Sequence, residues 1–185
     1  MTDFFTSDLH FCHKNIIKYS NRPFRDVYHM NTELINNWNS VVQPTDNVFI
    51  VGDVSFGAPD ETNTILNQLQ GTLYLVKGNH DKAIEKQHSK YFRWIKDIAS
   101  ITIDDQDVKG GKQSIVLCHY AMKVWERSHY GAWHLYGHSH GSLPDDPNSM
   151  SFDVGVDSHN YTPLSYEQVK KIMSKKTFKP VDHHK

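Results

Sequence analysis

The sequence predicts an α/β domain in which two packed sheets are flanked by helices. Strand and helix patterns alternate in the first half, the second half is richer in strands, and no repeat or low-complexity linker interrupts the 185 residues. Sheets and amphipathic helices must cover one another's apolar faces, so a single domain over residues 1–185 is the simplest architecture. A chain of this length buries roughly 70% of its unfolded surface, so its core needs no disulfide bonds.

The first predicted elements are two strands with a helix between them. Residues 3–7 predict a short strand, and residues 47–53 form the near-continuous apolar run that is typical of a buried strand. Between them, apolar residues recur at helical spacing over residues 30–42, where Asn31 or Thr32 would cap the helix.

A second helix and a third strand complete the first half. The helix is predicted over residues 59–71, because Pro59 and Asp60 favour its start and Gly71 favours its end. A strand begins directly afterwards at Thr72 and runs toward the polar sequence Gly-Asn-His-Asp.

The second half predicts four strands and a closing helix. The strands cover residues 94–104, 113–119, 133–140 and 151–157. Gly110 and Gly111 supply a turn between the first two of these strands. An amphipathic helix over residues 165–176 turns Val169, Ile172 and Met173 inward and its lysines toward solvent.

Composition excludes several classes of protein. With 38% hydrophobic and 22% charged residues, the chain is typical of a soluble globular protein, and its net charge of -1 provides no broad basic field for long nucleic acids. The absence of a secretory signal and of a long apolar run predicts a cytoplasmic protein without membrane contact. Cys12 and Cys118 are expected to be free thiols, although each lies beside a histidine.

A metal-ligand residue type follows almost every predicted strand. Since ligands of α/β proteins bind beyond the carboxyl ends of strands, five loops can meet there in one cleft. Their polar residues are Asp8 and His10, then Asp53, then Asn79, His80 and Asp81, then His119, and finally His138 and His140. An isolated His-x-His pair is more often a solvent-facing loop, but His138 and His140 would share one face of a strand, and the other four loops supply partners of the same kind.

The donor chemistry predicts transition metals. Apart from His80 and Asp81, these loops offer two carboxylates, one amide oxygen and four imidazoles, which suit Mn²⁺, Fe or Zn²⁺ better than Ca²⁺ or Mg²⁺, which favour all-oxygen ligands. Seven ligands exceed the needs of one tetrahedral ion. Two divalent ions, most simply Mn²⁺, would use them all and leave positions for substrate and water.

The motif order resembles that of the calcineurin-like metallophosphoesterase family, in particular its small bacterial and phage-type members. The motifs are Asp-x-His at 8–10, Gly-Asp at 52–53, Gly-Asn-His-Asp at 78–81, the single His119 and Gly-His-x-His at 137–140. The resemblance implies a four-layer αββα sandwich with a dinuclear metal site at the carboxyl ends of the strands. The segment after Asp53 lacks the tyrosine that purple acid phosphatases use as a ligand.

The resemblance also implies a role for each motif residue. One metal would be held by Asp8, His10, Asp53 and His140, and the other by Asp53, Asn79, His119 and His138, so that Asp53 bridges them. His80 would face the substrate as a general acid or phosphate binder, and Asp81 would hold the ring of His80.

The predicted function is hydrolysis of a phosphodiester or phosphomonoester, with a small nucleotide-like substrate favoured. Two cations would neutralise the phosphate oxygens and turn water into a hydroxide nucleophile near neutral pH. The alternative is a metal-dependent nuclease on DNA or RNA, which the balanced charge and the lack of an added binding domain disfavour. A non-catalytic scaffold is less favoured still, because all seven predicted ligands are present. The oligomeric state is not predicted.

Five further residues are predicted to contact the substrate. Arg22 and Arg25 would clamp phosphate oxygens, unless they form surface salt bridges. His13 would lie near the site, although a solvent-facing helix start is the simpler interpretation. Trp125 and Trp133 would stack on a nucleobase, with core packing as the alternative.

Overall fold

Two mixed β-sheets organise the protein, as seen in a computed structural model that describes residues 1–181. The first sheet has the strand order β4-β3-β2-β1-β9. Its strands are β1 (Asp3–Thr6), β2 (Asn47–Ile50), β3 (Thr72–Val76), β4 (Phe92–Lys96) and β9 (Leu164–Ser165). The strands β1 to β4 are parallel to one another, and β9 is antiparallel to β1.

The second sheet has four strands in the order β5-β6-β7-β8. They are β5 (Ile98–Asp104), β6 (Lys112–Cys118), β7 (Trp133–Tyr136) and β8 (Ser151–Asp153). β5 and β6 form an antiparallel hairpin, whose turn contains Gly110 and Gly111, both with positive φ. β6, β7 and β8 are parallel, so their carboxyl ends lie at one edge.

Within residues 1–181, five α-helices surround the sheets. They are α1 (Ile16–Tyr19), α2 (Val27–Val41), α3 (Pro59–Leu66), α4 (Lys82–His88) and α5 (Tyr166–Met173). Three short 3₁₀ helices lie at Ser89–Tyr91, Ser128–Tyr130 and Val156–Ser158. The predicted α/β class, with two mixed sheets and flanking helices, is confirmed.

Two apolar cores hold these layers together. The core between the sheets joins Phe5 and Val51 to Leu117 and Leu135, and the inner face of α5 also contributes to it. The second core lies on the other face of the first sheet, where α2 and α3 pack and where Trp38 is fully buried. Burial of apolar surface from both sides therefore fixes β1 to β3 at the centre of the molecule.

The predicted strand over residues 94–104 is wrong as a single element. The chain leaves the first sheet after β4 and enters the second sheet with β5, and only Asp97 separates the two strands. The apolar pattern continues across this crossing, because both strands contribute side chains to cores. Periodicity along one segment does not reveal which sheet a strand joins.

Helix boundaries also differ from the prediction. α2 begins at Val27, and its cap is Asp26, whose side chain accepts a hydrogen bond from the backbone N–H of His29 at 2.8 Å. Asn31 instead accepts a hydrogen bond from the backbone N–H of Cys12. The short elements α1, α4 and β9 were not predicted, since each has few periodic positions.

Two remaining sequence features concern the surface and the chain end. Within residues 1–181, no helix combines the length and apolar character needed to cross a membrane. Cys12 and Cys118 are both free thiols, as predicted. The terminal His183 and His184, which were given no role, lie outside the described residues.

Candidate metal centre

The five polar motifs meet where the two sheets present their carboxyl ends together. His119, which follows β6, lies with its Nδ1 2.8 Å from the carbonyl oxygen of Val51, which follows β2. The backbone N–H of His138, beyond β7, donates to the carboxylate of Asp8, beyond β1, at 2.9 Å. Hydrogen bonds between loops of different sheets therefore join the motifs into one site.

Five predicted ligands have a backbone conformation that residues other than glycine rarely adopt. Asp8, His10, Asp53, His138 and His140 all have positive φ, between 48° and 68°. Asp, Asn and His tolerate this left-handed region better than bulky residues do, and such backbone is concentrated at functional sites. β7 already ends at Tyr136, so the predicted strand over 133–140 is too long. His138 and His140 thus reach the site from a turn, not from one face of a strand.

Glycines next to the ligands allow the close approach of these loops. A Cβ at Gly137 would overlap the Ser7 hydroxyl and approach the Asp8 carboxylate to 2.5 Å, and a Cβ at Gly78 would overlap the carboxylate of Asp53. The glycines of the motifs are therefore required by packing against the carboxylates.

The donor atoms of the site fit a divalent metal ion. Donors of Asp8, His10 and His140 lie within 4.8 Å of one another, as do those of Asp8, Asp53 and His119. Asp8 Oδ1 and His10 Nε2 are buried and have no hydrogen-bond partner among the described residues. Buried polar atoms without partners are costly, and a cation placed between them would satisfy both.

The electrostatics of Asp8 and His10 agree with this fit. Burial raises the pKa of Asp8 to about 7, and burial lowers the pKa of His10 to about 4. Each environment therefore disfavours the charged form of the side chain when no cation is near. A neutral imidazole is the form that ligates metals, and a buried carboxylate needs a positive partner.

Asp53 lies between the two halves of the cluster. Its Oδ2 is 3.4 Å from His10 Nε2 and 3.6 Å from His119 Nε2, while its Oδ1 accepts a hydrogen bond from the backbone N–H of His80. Burial alone would raise the pKa of Asp53, but contacts with His10 and His119 lower it overall. Asp53 is consequently an ionised carboxylate that faces one imidazole from each predicted metal position.

Asn79 brings two further imidazoles together. Its Oδ1 lies 3.1 Å from His119 Nε2 and 3.1 Å from His138 Nδ1. The structure thus brings all seven predicted ligands to one place, although Asn79 and His138 are exposed whereas Asp8 and His119 are buried.

Arg22 does not face the site as a phosphate clamp, and that prediction is wrong. The residue is only 4% exposed, and its guanidinium binds both carboxylate oxygens of Asp157, at 2.8 and 2.9 Å. Its remaining donors reach the carbonyl oxygens of Asp8 and Leu9. The bidentate ion pair and the two backbone contacts engage all three guanidinium nitrogens of Arg22, so Arg22 has no hydrogen-bond donor left for a substrate.

Asp157 connects Arg22 to a predicted ligand. Its Oδ2 lies 2.7 Å from His140 Nδ1, which leaves His140 Nε2 facing Asp8 Oδ1 at 4.0 Å. Burial alone would raise the pKa of Asp157, but His140 and Arg22 lower it overall. An ionised Asp157 holds a proton on His140 Nδ1, and therefore keeps Nε2 free to ligate.

Asp81 does not hold the ring of His80, contrary to the prediction. Its carboxylate is fully buried and accepts hydrogen bonds from the backbone N–H groups of Asp53, Val54 and Gly78. It therefore fixes the two loops that carry Asp53 and Asn79 against each other. The His80 side chain is exposed, and among described residues its ring nitrogens have no hydrogen-bond partner.

Phe56 packs against two imidazoles near the metal centre, the exposed His80 and the half-buried His13. Its ring centroid lies 4.7 Å from that of His80 and 4.1 Å from that of His13. His13 also places its Nδ1 3.1 Å from His10 Nδ1. His13 is therefore part of the site, where it contacts a predicted ligand, and the simpler interpretation as a solvent-facing helix start is wrong.

The three other predicted substrate residues lie elsewhere. Arg25 is exposed and pairs with the adjacent Asp26, so for this residue the salt-bridge alternative is correct. Trp133 is 6% exposed and stacks on Tyr166 in the core between the sheets. Trp125 donates its indole N–H to the Ala132 carbonyl and lines a cavity of about 690 Å³ that contains none of the predicted ligands. The prediction that these tryptophans stack on a nucleobase at the metal centre is therefore wrong.

Three residues of the site were not singled out in the sequence. Asp157 lies outside every motif, and only the fold reveals its contact with His140. Phe56 lies three residues after Asp53, Tyr120 directly follows His119, and both are exposed aromatic residues. In the sequence, the one indication that Phe56 and Tyr120 belong to the site was an aromatic residue close to a predicted ligand.

Comparisons with known proteins agree with the geometry. Residues 1–152 match the model of the calcineurin-like phosphoesterase superfamily domain. An uncharacterized protein of Methanocaldococcus jannaschii is 35% identical over 176 residues, which cover 91% of this chain and 89% of that protein. The Gene 66 protein of Mycobacterium phage L5 is 27% identical and covers 83% of this chain and 86% of its own length. A crystal structure of a protein of unknown function from Aquifex aeolicus has a TM-score of 0.69 at 23% identity and covers 92% of this chain and 98% of its own, which supports the fold.

Proposed function

Because the chain belongs to the calcineurin-like phosphoesterase superfamily, we propose that it is a metal-dependent phosphoesterase with two divalent ions, most simply Mn²⁺. The observation that carries the proposal is a pair of buried atoms at the meeting point of the motifs, Asp8 Oδ1 and His10 Nε2, which have no partner in the described part of the chain. Atoms of this kind are explained by a cation between them.

The proposed ligands divide into two sets that share Asp53. The first ion would be held by Asp8, His10, Asp53 and His140, and the second by Asp53, Asn79, His119 and His138. Asp53 Oδ2 supports this division, since it lies at similar distances from His10 and His119. When bound, the two cations would neutralise the phosphate oxygens and lower the pKa of a water molecule that attacks phosphorus.

His80 is the proposed general acid. Its ring is exposed beside Asp53 and is held by Phe56 rather than by a carboxylate. A ring whose nitrogens have no partner among residues 1–181 can donate a proton to the leaving oxygen or bind a phosphate oxygen. His13, whose ring stacks on the same Phe56, would fix His10 through the contact between their Nδ1 atoms.

We favour a small phosphodiester or phosphomonoester as substrate. The net charge of -1 provides no extended basic surface for long nucleic acids. The site nevertheless lies beside exposed aromatic residues, Phe56 and Tyr120, which suit a flat organic group.

A substrate panel tests this proposal. Purified protein loaded with Mn²⁺ is assayed with para-nitrophenyl phosphate, bis-para-nitrophenyl phosphate, cyclic nucleotides and single-stranded DNA. We expect hydrolysis of at least one small ester, and loss of that hydrolysis when a chelator removes the metal. Faster cleavage of the DNA than of every small ester would favour the nuclease alternative. No hydrolysis of any substrate by fully metallated protein would contradict the proposal.

A further inference from the structure

We propose that a cleft beside Asn79 and His119 is a subsite for one uncharged, nucleoside-sized group of the substrate, and that Tyr120 is its stacking residue. This inference rests on the proposed function, since the phosphate itself would lie at the metal centre. It goes further by naming the group next to the phosphate and by excluding a second phosphate from the cleft.

The cleft has the position and size for such a group. Its volume is about 520 Å³, within the roughly 300–1,000 Å³ of small-molecule sites. Gly78, Asn79 and His119 form one wall, so two proposed ligands of the second metal also line the cleft. A phosphate at the metal centre would therefore point one ester group into this space.

Tyr120 supplies an aromatic surface at the boundary between cleft and metal centre. Its ring centroid is 5.2 Å from His119 and 4.8 Å from His138, with interplanar angles of 70° and 64°. Neither imidazole is stacked on the tyrosine, and 48% of the residue is exposed. Together with Ile98, which is 53% exposed, it gives the cleft an apolar side that suits a base.

The charges of the cleft disfavour a second anionic group. Lys77 is already paired with Glu85 at 3.0 Å and with Asp97 at 3.1 Å, so this trio carries one excess negative charge. Lys82 balances that charge, and no acidic partner holds it among the described residues. The lining is therefore neutral in sum, so it offers no net positive charge to offset the desolvation of a further phosphate.

Binding measurements test the subsite separately from catalysis. Calorimetric titration of the Mn²⁺-loaded protein compares inorganic phosphate, adenosine 5′-monophosphate and adenosine 3′,5′-bisphosphate. We expect the monophosphate to bind roughly tenfold to a hundredfold more tightly than phosphate, as stacking of one base allows. The bisphosphate should bind no more tightly than the monophosphate. Asp97→Asn should raise the affinity for the bisphosphate relative to the affinity for the monophosphate.

Variants at Tyr120 identify the stacking residue. Tyr120→Leu should lower the affinity for the monophosphate much more than the affinity for phosphate, and so remove most of the preference, whereas Tyr120→Phe should retain the preference. Tyr28→Leu is the matched control, because Tyr28 is 76% exposed on α2 and does not line the cleft.

The outcomes distinguish the two proposals. If inorganic phosphate itself does not bind the metallated protein, the proposed phosphoesterase site is wrong. If phosphate binds but the monophosphate binds no better, or if Tyr120→Leu keeps the preference, only the subsite is wrong. Tighter binding of the bisphosphate by the unaltered protein would overturn the argument from charge.

Discussion

At the residue scale, the site depends on side chains that contact the ligands as much as on the ligands themselves. Arg22 and Asp157 fix the D-x-H loop and the ring of His140, and Asp81 fixes the loops of Asp53 and Asn79. The sequence predicted the ligand types because they occur in ordered motifs. It could not reveal that Arg22 is buried, since burial depends on Asp157, which follows it by 135 residues.

Replacement of Asp157 tests this positioning role. Asp157→Asn should weaken Mn²⁺ binding by roughly 10- to 100-fold, the usual effect of losing the partner of a metal-bound histidine. The neutral amide holds the His140 proton on Nδ1 less firmly and leaves the buried Arg22 without a counter-charge. Calorimetric titration with Mn²⁺ measures the affinity.

Asp105→Asn is the control for general loss of stability. Asp105 is also a buried aspartate paired with a cation, since Lys170 Nζ lies 2.8 Å from it, but it contacts no predicted ligand. We expect this variant to be less stable while its Mn²⁺ affinity stays unchanged. Equal loss of affinity in both variants would mean that Asp157 acts only through the fold.

His80 should separate chemistry from metal binding. His80→Ala is expected to keep both ions while turnover falls roughly 10²- to 10⁴-fold, the contribution of a positioned acid. The ring is exposed and has no hydrogen-bond partner among the described side chains, so its removal should leave the fold intact. Elemental analysis counts the metal and steady-state kinetics give kcat. Loss of an ion together with activity would assign His80 to the ligand set.

At the element scale, the predicted metal ligands come together because they follow the carboxyl ends of strands. The connections between strands decide which of these ends meet. The alternation of strands and helices in the first half was predictable, because β1, β2 and β3 are buried on both faces. The crossing at Asp97 was not, because an apolar run has the same pattern in either sheet. The last residue of β7 and the first residue of α2 were not predictable either, because loop and cap contacts set them and hydrophobic periodicity does not report such contacts.

The contact between the β5–β6 turn and α5 predicts a pH dependence of stability. Lys170 and the hydroxyl of Tyr166 lower the pKa of Asp105. A carboxyl whose folded pKa is depressed stabilises the fold above its unfolded pKa of about 4 and loses that contribution as pH falls through the folded value. Asp105→Asn should therefore cost about 1–2 kcal/mol of unfolding free energy near pH 7, and the difference should shrink below about pH 4.

Urea unfolding at several pH values measures this difference. Asp104→Asn is the matched control, because Asp104 is the neighbouring residue, its side chain is 83% exposed and it lies 4.0 Å from Lys112. This control should differ little from the unaltered protein at any pH. A stability difference for Asp105→Asn that stays constant down to about pH 3 would show that the carboxylate is not what stabilises the turn.

At the scale of the whole molecule, two sheets direct their carboxyl ends to one place and so collect motifs that are spread over residues 8 to 140. The order of these motifs made the family and its fold predictable from sequence. The substrate residues were not predictable, because conspicuous tryptophans belong to the core or to a separate cavity, whereas the less conspicuous Tyr120 contacts two ligands.

We predict that phosphoester hydrolysis by this protein requires two metal ions that share Asp53 as a ligand. The most direct test titrates metal-stripped protein with Mn²⁺, counts the bound ions by elemental analysis and follows cleavage of bis-para-nitrophenyl phosphate. We predict no activity without metal, a rise to a plateau at about two ions per chain, and loss of at least one ion and nearly all activity in Asp53→Asn. Activity in the metal-free protein, or an Asp53→Asn variant that keeps both ions and full turnover, would contradict the account.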